Sequence, residues 1–236
     1  MKISIKSFKL FFILFYAVIF FKTGLYAQFF FEQQTRRMES ELQIKWSEMF
    51  LFGMELYKEA SYDLALIEFK RFIYYMRILA VEYPVQSYVY DDKLCEARFW
   101  IGMTHYQDGN YQQAVKEFLQ AVTDLPYAET APNCLFEAGR LMFIKYTKNH
   151  LKAKIIADRS DFTVERAGLN EILQRVESEY PRSSFAADAV FLNGCLYDFE
   201  KNYSEAAKTF RYLVKTFSEN NKTAAAMEFL QKYQGK

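Results

Sequence analysis

The chain has 236 residues, of which 51% are hydrophobic and 19% are aromatic, so it is long enough and apolar enough to bury a sizeable core. Only 8 glycines and 4 prolines are present, which argues against a loop-rich, disordered or β-sandwich protein. The net charge of +1 provides no basic footprint for nucleic acid, so we expect no nucleic-acid partner.

The first 27 residues have the pattern of a secretory signal peptide. Three lysines precede an uncharged apolar run, and a small residue follows where cleavage is expected; these are Lys2, Lys6, Lys9, the run Leu10 to Phe21, and Ala27. Twelve helical residues rise about 18 Å, which is short of the roughly 30 Å hydrocarbon core of a membrane. The pattern therefore predicts cleavage after Ala27 and an exported product, periplasmic or associated with the cell envelope.

The alternative is an uncleaved anchor in the inner membrane. Phe29 to Phe31 extend the apolar zone, so residues 8–31 would then hold the chain at the membrane. In either case we interpret residues 28–45 as a lead-in to the folded part of the chain.

The stretch from Ala97 to Pro126 predicts two helices joined by a turn. Gly109-Asn110 marks the turn, because glycine and asparagine tolerate positive φ. Pro126 is expected to end the second helix. Small and aromatic residues at helical spacing let the two helices approach and fill the seam between them: Gly102, Ala114, Phe118 and Ala121.

The same residue types recur at common offsets elsewhere in the chain. Three copies share a Gly-Ala-Phe trio: Gly53, Ala65 and Phe69; Gly102, Ala114 and Phe118; Gly194, Ala206 and Phe210. A fourth, partial copy begins with Gly139, and its second helix is predicted from Ala167 to Tyr180. Units of this kind cannot bury their apolar faces alone, so we expect them to stack.

This spacing resembles a tetratricopeptide repeat (TPR). The resemblance rests on Ile101-Gly102, Gly109, Tyr111, Ala114, Phe118, Ala121 and Pro126, with one departure, Arg98, where the family has a large aromatic residue. It implies an all-α fold in which antiparallel helix pairs form a right-handed superhelical solenoid. The expected parts are about four repeats, near residues 46–84, 91–126, 129–181 and 184–218, and a capping helix at 222–233.

Two of the copies are longer than the unit around Gly102. From Gly53 to Pro84 the first copy has seven extra residues, which corresponds to two helical turns. From Gly139 to Pro181 the third copy has eighteen extra residues, and they fall between its helices. We expect a helical extension over residues 145–165, either as a solvated segment or as an arm that docks a partner.

The segments Glu179 to Gly194 and Tyr203 to Phe210 resemble a subgroup of bacterial envelope TPR proteins that includes BamD and CpoB (YbgF). The resemblance implies a non-enzymatic scaffold for protein–protein interaction, in outer-membrane protein assembly or in cell-wall and envelope coordination, with envelope proteins as partners. Membrane association is expected through residues 8–31 or through those partners. The alternative is an inner-membrane-anchored assembly factor for a secretion or motility machine.

In TPR proteins the first helix of each unit lines the concave face, where partners bind. The corresponding stripe in this chain is aromatic and contains methionine: Phe50, Met54, Tyr57, Phe99, Met103, Tyr106, Phe136, Arg140, Phe143 and Phe191. If these side chains face outward, they form a groove suited to an amphipathic helix or an extended apolar peptide. The alternative is that the stripe packs within the core.

The sequence contains no catalytic or cofactor motif. The chain has two histidines, His105 and His150, and no CxxC, HExxH, GxSxG or phosphate-binding glycine loop, so we expect no enzyme, no cofactor and no metal site. We expect His105 in the core and His150 exposed. Cys95, Cys134 and Cys195 fall on the first helices of different repeats and are expected to be buried, with a Cys134–Cys195 pairing left open.

Overall fold

The computed structural model describes residues 45–82, 87–151 and 163–233. The chain separates into two units, Met1–Glu48 and Met49–Lys236. Of the first unit, residues 45–48 are described, and they are helical. The predicted signal peptide or anchor, the beginning of the lead-in segment and Pro84 lie outside the described residues.

The described residues form nine α-helices and no strand. In chain order the helices are α1 (45–58), α2 (Tyr62–Glu82), α3 (Ser87–Gln107), α4 (Tyr111–Asp124), α5 (Ala131–Leu151), α6 (Arg166–Glu179), α7 (Ser184–Phe199), α8 (Tyr203–Thr216) and α9 (Lys222–Tyr233). Within these ranges, no helix combines the length and apolarity that a membrane crossing requires. The predicted all-α class is confirmed.

Neighbouring helices pack in pairs. α3 packs against α4, α5 against α6 and α7 against α8, while α9 covers α8. The first helices of successive pairs also meet, since α5 contacts both α3 and α7, and α7 contacts α9. This arrangement is consistent with a helical repeat, in which each unit buries its apolar face against the next.

A close contact between a glycine and a phenylalanine joins three of the pairs. The contacts are Gly53–Phe69, Gly102–Phe118 and Gly194–Phe210, and the three phenylalanines are fully buried. A Cβ atom placed on these glycines would lie 2.9, 2.5 and 2.5 Å from the phenylalanine Cε1 atoms, so any larger residue would displace the ring. In the fourth copy Gly139 meets Leu173 instead, at 2.8 Å from Cδ2. These four glycines therefore lie where paired helices approach closely.

The turns within these three pairs have the same backbone. Ala60, Gly109 and Lys201 follow the first helices with φ of 58°, 77° and 61°. In each turn the next residue donates its N–H five residues back; Asn110, for example, donates to the carbonyl of His105 at 2.8 Å. A hydrogen bond of this span next to a residue with positive φ is typical of the Schellman motif. It confirms the turn predicted at Gly109-Asn110.

Helix lengths account for the first of the two insertions. α2 has 21 residues and α4 has 14, so the seven extra residues lengthen α2 by two turns. The second insertion is helical as far as Leu151, and residues 152–162 lie outside the described part of the chain. α3 begins at Ser87 rather than near residue 91, because Tyr90 and Leu94 are buried in the core and extend the helix backwards.

Arg98 stands where the TPR pattern has a large aromatic residue, and in the structure it makes two ion pairs. Its guanidinium donates to Glu117 Oε2 at 3.2 Å and to Asp124 Oδ2 at 3.0 Å, both on α4. The Arg98 side chain is 15% exposed, which leaves it well shielded from solvent. Arg98 therefore forms a charged link between α3 and α4.

Candidate functional site

The predicted groove residues lie on the first helices of the four pairs, and each of them is partly buried. They are Phe50, Met54 and Tyr57 on α1; Phe99, Met103 and Tyr106 on α3; Phe136, Arg140 and Phe143 on α5; and Phe191 on α7. Because α3 contacts α5 and α5 contacts α7, the stripes on these helices lie side by side. We call this set the aromatic stripe.

The phenylalanines three residues before the repeat glycines hold each pair together. The ring of Phe50 lies 5.7 Å from that of Phe69, Phe99 lies 5.7 Å from Phe118, and Phe191 lies 5.6 Å from Phe210. Phe136 differs, since it stacks on Phe185 of α7 at 5.5 Å. All the apolar members of the stripe are partly buried and pack against the core clusters, so the stripe contributes to packing along its whole length.

Side chains that lie one or two turns beyond these phenylalanines, on the same helices, connect one pair to the next. The Tyr57 ring of α1 meets Trp100 of α3 edge-on at 5.2 Å. On α5, the Arg140 guanidinium lies 5.2 Å from the centre of the Tyr106 ring of α3 and also bonds to Glu137. A cation–π contact of this kind helps to hold the adjoining helices α3 and α5 together.

The composition of the stripe changes at its C-terminal end. The α7 positions that match Met103 and Tyr106 are Cys195 and Asp198. Asp198 pairs with Lys232 of α9 at 3.5 Å. An apolar ligand would therefore find aromatic and thioether surface from α1 to α5 and a charged edge at α7.

The structure reveals a polar cluster that repeat spacing did not indicate. Glu200 accepts hydrogen bonds from Tyr146 Oη at 2.9 Å and from Arg166 Nε at 2.9 Å, and the Arg166 guanidinium lies 4.9 Å from the Tyr197 ring centre. Burial and the bond to Glu200 raise the pKa of Tyr146 above its ordinary value. Arg166 begins α6 directly after the insertion, where no repeat register exists, so the sequence offered no signal for this contact.

A cleft of about 350 Å³ lies where α6, α7 and α8 meet. Its lining includes Glu177, Asn193, Tyr197 and Lys208. Tyr212 donates to Glu177, and this hydrogen bond together with burial raises the pKa of Tyr212. The lining carries no histidine or cysteine, so it has neither a nucleophilic thiol nor an imidazole base.

Cys95 and Cys134 are buried, as predicted, while Cys195 is partly buried; all three are free thiols. The Cys134–Cys195 pairing that the sequence left open is not formed, since both residues are free thiols. The Cys134 thiol is hydrogen-bonded to Cys95, and this bond together with burial raises the pKa of Cys134 well above its usual range. Burial raises the pKa of Cys195 to about 11. The raised pKa values keep Cys134 and Cys195 protonated at neutral pH, so these two thiols are poor nucleophiles.

His105 is partly buried rather than a full core residue, and burial lowers its pKa below the ordinary 6.5. The side chain of His150 lies outside the described residues. Across the residues that can be described, no three His, Cys, Asp or Glu side chains converge as a metal site would require.

The chain was compared with protein-family models and with curated proteins, and neither comparison found a match.

Proposed function

We propose that the chain is a TPR-type scaffold that binds a partner protein along the aromatic stripe. The observation that supports this best is the repetition of one local geometry: three helix pairs share the glycine–phenylalanine contact and the same turn. In addition, the first helix α5 contacts the first helices α3 and α7 on either side of it. Repeated units stacked in this order present one face of every first helix to a common ligand.

The chemistry of the stripe favours an apolar ligand. Met54, Met103, Tyr106 and Phe143 combine flexible thioether and aromatic surface, which adapts to leucine-rich or aromatic side chains. An amphipathic helix or an extended apolar peptide offers such side chains at regular spacing. Arg140 lies within the stripe, but its charge is paired with Glu137, so the stripe remains mainly apolar in character.

The cellular location of the protein is also part of the proposal. The signal-like beginning of the sequence and its resemblance to the BamD and CpoB subgroup favour an exported scaffold of the bacterial cell envelope, with envelope proteins as partners. An inner-membrane-anchored assembly factor is the second candidate, and the retained apolar zone at residues 8–31 is the feature that would favour it.

Site-specific photo-crosslinking in living cells tests the scaffold. A photoreactive phenylalanine derivative replaces Met103 in the tagged full-length chain, and in a control chain it replaces Lys116, which is exposed on α4. We expect a defined crosslinked product from position 103 and none from position 116. Equal labelling at both positions, or no product from either, contradicts binding along the stripe.

The crosslinked partner and the N-terminus of the same sample decide the location. A mature chain that starts at Gln28 and is bound to an envelope protein supports the exported scaffold. An intact N-terminus and a partner from an inner-membrane machine support the anchored assembly factor. A cytosolic partner contradicts both.

A further inference from the structure

The outward face of α2 is apolar and exposed. Its large side chains, with exposed fractions, are Leu64 (54%), Ile67 (52%), Tyr74 (70%), Ile78 (39%) and Val81 (82%). Their spacings along the chain are three, seven, four and three residues, so all five lie on one face of the helix, opposite the buried Phe69, Phe72 and Met76. We call them the α2 apolar strip.

Cations lie beside the strip and within it. Lys70 and Arg77 lie along one edge, and both are exposed. Arg71 lies within the strip, between Ile67 and Tyr74 along the helix; its side chain is 63% exposed and is paired with Glu68 at 2.8 Å. Asp63 is an acidic residue at the N-terminal end of this face.

The equivalent face is polar in the other two matching helices. The α4 positions that correspond to Leu64, Ile67 and Tyr74 hold Gln113, Lys116 and Thr123. The α8 positions hold Glu205, Lys208 and Lys215. Helix pairs of this kind therefore pack without apolar residues on this face. We expect the α2 apolar strip to have a role other than packing between the repeats.

Ile78 and Val81 belong to the seven residues by which α2 exceeds α4. The additional turns therefore lengthen the apolar strip as well as the helix. Five exposed apolar side chains on one face of a single helix are more than scattered surface residues, and they mark a candidate contact with another body.

We propose that the α2 apolar strip docks this part of the chain onto an anionic phospholipid surface. A helix that lies in the plane of a membrane interface has apolar residues on the face it buries and Lys or Arg at the borders, where headgroup phosphates are reached. The strip, with Lys70 and Arg77 along one edge and Arg71 within it, matches this description. Tyr74 and Val81 are the most exposed members of the strip, so their side chains are available to enter a lipid surface.

Vesicle binding of the full chain is the first test. Phosphatidylcholine vesicles with phosphatidylglycerol should bind the protein, and the same vesicles without it should bind it weakly. A Lys70→Gln, Arg77→Gln variant should lose about 30-fold in partitioning, because each cation near an anionic surface contributes a factor of about five. An Ile67→Glu, Tyr74→Glu variant should lose about tenfold per residue. The matched control is Tyr127→Glu with Met227→Glu, since both are exposed apolar residues outside α2.

A local probe keeps the proposal testable if another segment also tethers the chain to vesicles. Tyr74→Trp places a tryptophan on the strip, and Tyr127→Trp places one at a 99% exposed site on the α4–α5 connection. Brominated phosphatidylglycerol should quench the added emission of the Tyr74→Trp chain and leave that of the Tyr127→Trp chain unchanged, after subtraction of the wild-type signal. Circular dichroism should show equal helix content in all variants, because the altered side chains are exposed.

Unquenched emission from the Tyr74→Trp chain, or equal quenching of both chains, overturns the proposal. Sedimentation equilibrium without lipid provides the other contrary outcome. If the wild-type chain self-associates and the Ile67→Glu, Tyr74→Glu variant does not, the strip serves a second copy rather than a membrane.

Discussion

Gly102 shows how one missing methyl group determines the spacing of two helices. Its Cα faces the Phe118 ring so closely that a Cβ would lie 2.5 to 2.8 Å from three ring carbons. Gly102→Ala should therefore destabilise the fold by about 1–3 kcal/mol, less what the better helix propensity of alanine returns. Thermal unfolding followed by circular dichroism measures this difference.

Gly168→Ala is the matched control for that substitution. The nearest atom to a Cβ at Gly168 is Met142 Cε at 3.9 Å, an ordinary contact. The substitution should leave stability unchanged or raise it by up to about 1 kcal/mol, since glycine within a helix costs conformational entropy. A larger loss at Gly168 than at Gly102 would show that the ring contact does not control the seam.

His105 should make the fold sensitive to mild acid. Burial lowers its pKa below 6.5 in the folded chain, while the Glu117 carboxylate opposes this shift. The unfolded chain thus takes up a proton first as the pH falls below about 6.5, and stability is lost from there down to the folded pKa. The Tm of the wild-type chain should fall more between about pH 7.5 and pH 5 than that of His105→Gln. Parallel curves for the two chains would exclude this residue as a source of the acid sensitivity.

At the scale of elements, the three turns are alike in geometry and differ in sequence. Gly109 suits its φ of 77°, whereas Ala60 and Lys201 adopt φ of 58° and 61° at the cost of strain between Cβ and the backbone. Lys201→Gly should therefore raise stability by up to about 1 kcal/mol, and Gly109→Ala should lower it by about 1–2 kcal/mol. Chemical denaturation of the two variants beside the wild type gives both values, and effects of the same sign would contradict the shared turn.

These turns also illustrate which helices and turns could be predicted from the sequence and which could not. Helix pairing, the Gly-Ala-Phe seams and the turn at Gly109 follow from periodicity and from the conformational freedom of glycine. The turns at Ala60 and Lys201 carry no glycine signal, because helix packing on both sides imposes the left-handed residue. Arg98 was visible as a departure, but its ion pairs with Glu117 and Asp124 depend on how α3 and α4 pack.

The candidate site likewise has features that the sequence could predict and features that it could not. Sequence placed Phe99, Met103 and Tyr106 on one stripe, and the structure has all three partly buried. Sequence alone could not separate the ring that packs on Phe118 from the neighbouring side chains, since helical spacing is the same for a core face and a binding face. The Tyr146–Arg166–Glu200 cluster was out of reach, because it joins residues on three elements beside an insertion without repeat register.

At the scale of the whole molecule, contacts between helices are local. Among α2–α9, the substantial contacts join helices that are one or two places apart in order. Stability in such an arrangement is a sum of unit and interface terms, so damage at one end should stay near that end.

Phe229 on α9 tests this locality. Its ring stacks on Phe210 at 4.8 Å and meets Phe191 edge-on at 6.1 Å, so α9 closes the α7–α8 pair. Phe229→Ala should cost about 2–3 kcal/mol, below the roughly 3–5 kcal/mol of a fully buried ring, because Phe229 is partly buried. Amide hydrogen exchange should accelerate in α7, α8 and α9 and stay unchanged in α2, α3 and α4. Uniform acceleration along the chain would instead show that the helix pairs unfold as one cooperative body, with the repeats coupled more strongly than their neighbour-to-neighbour contacts imply.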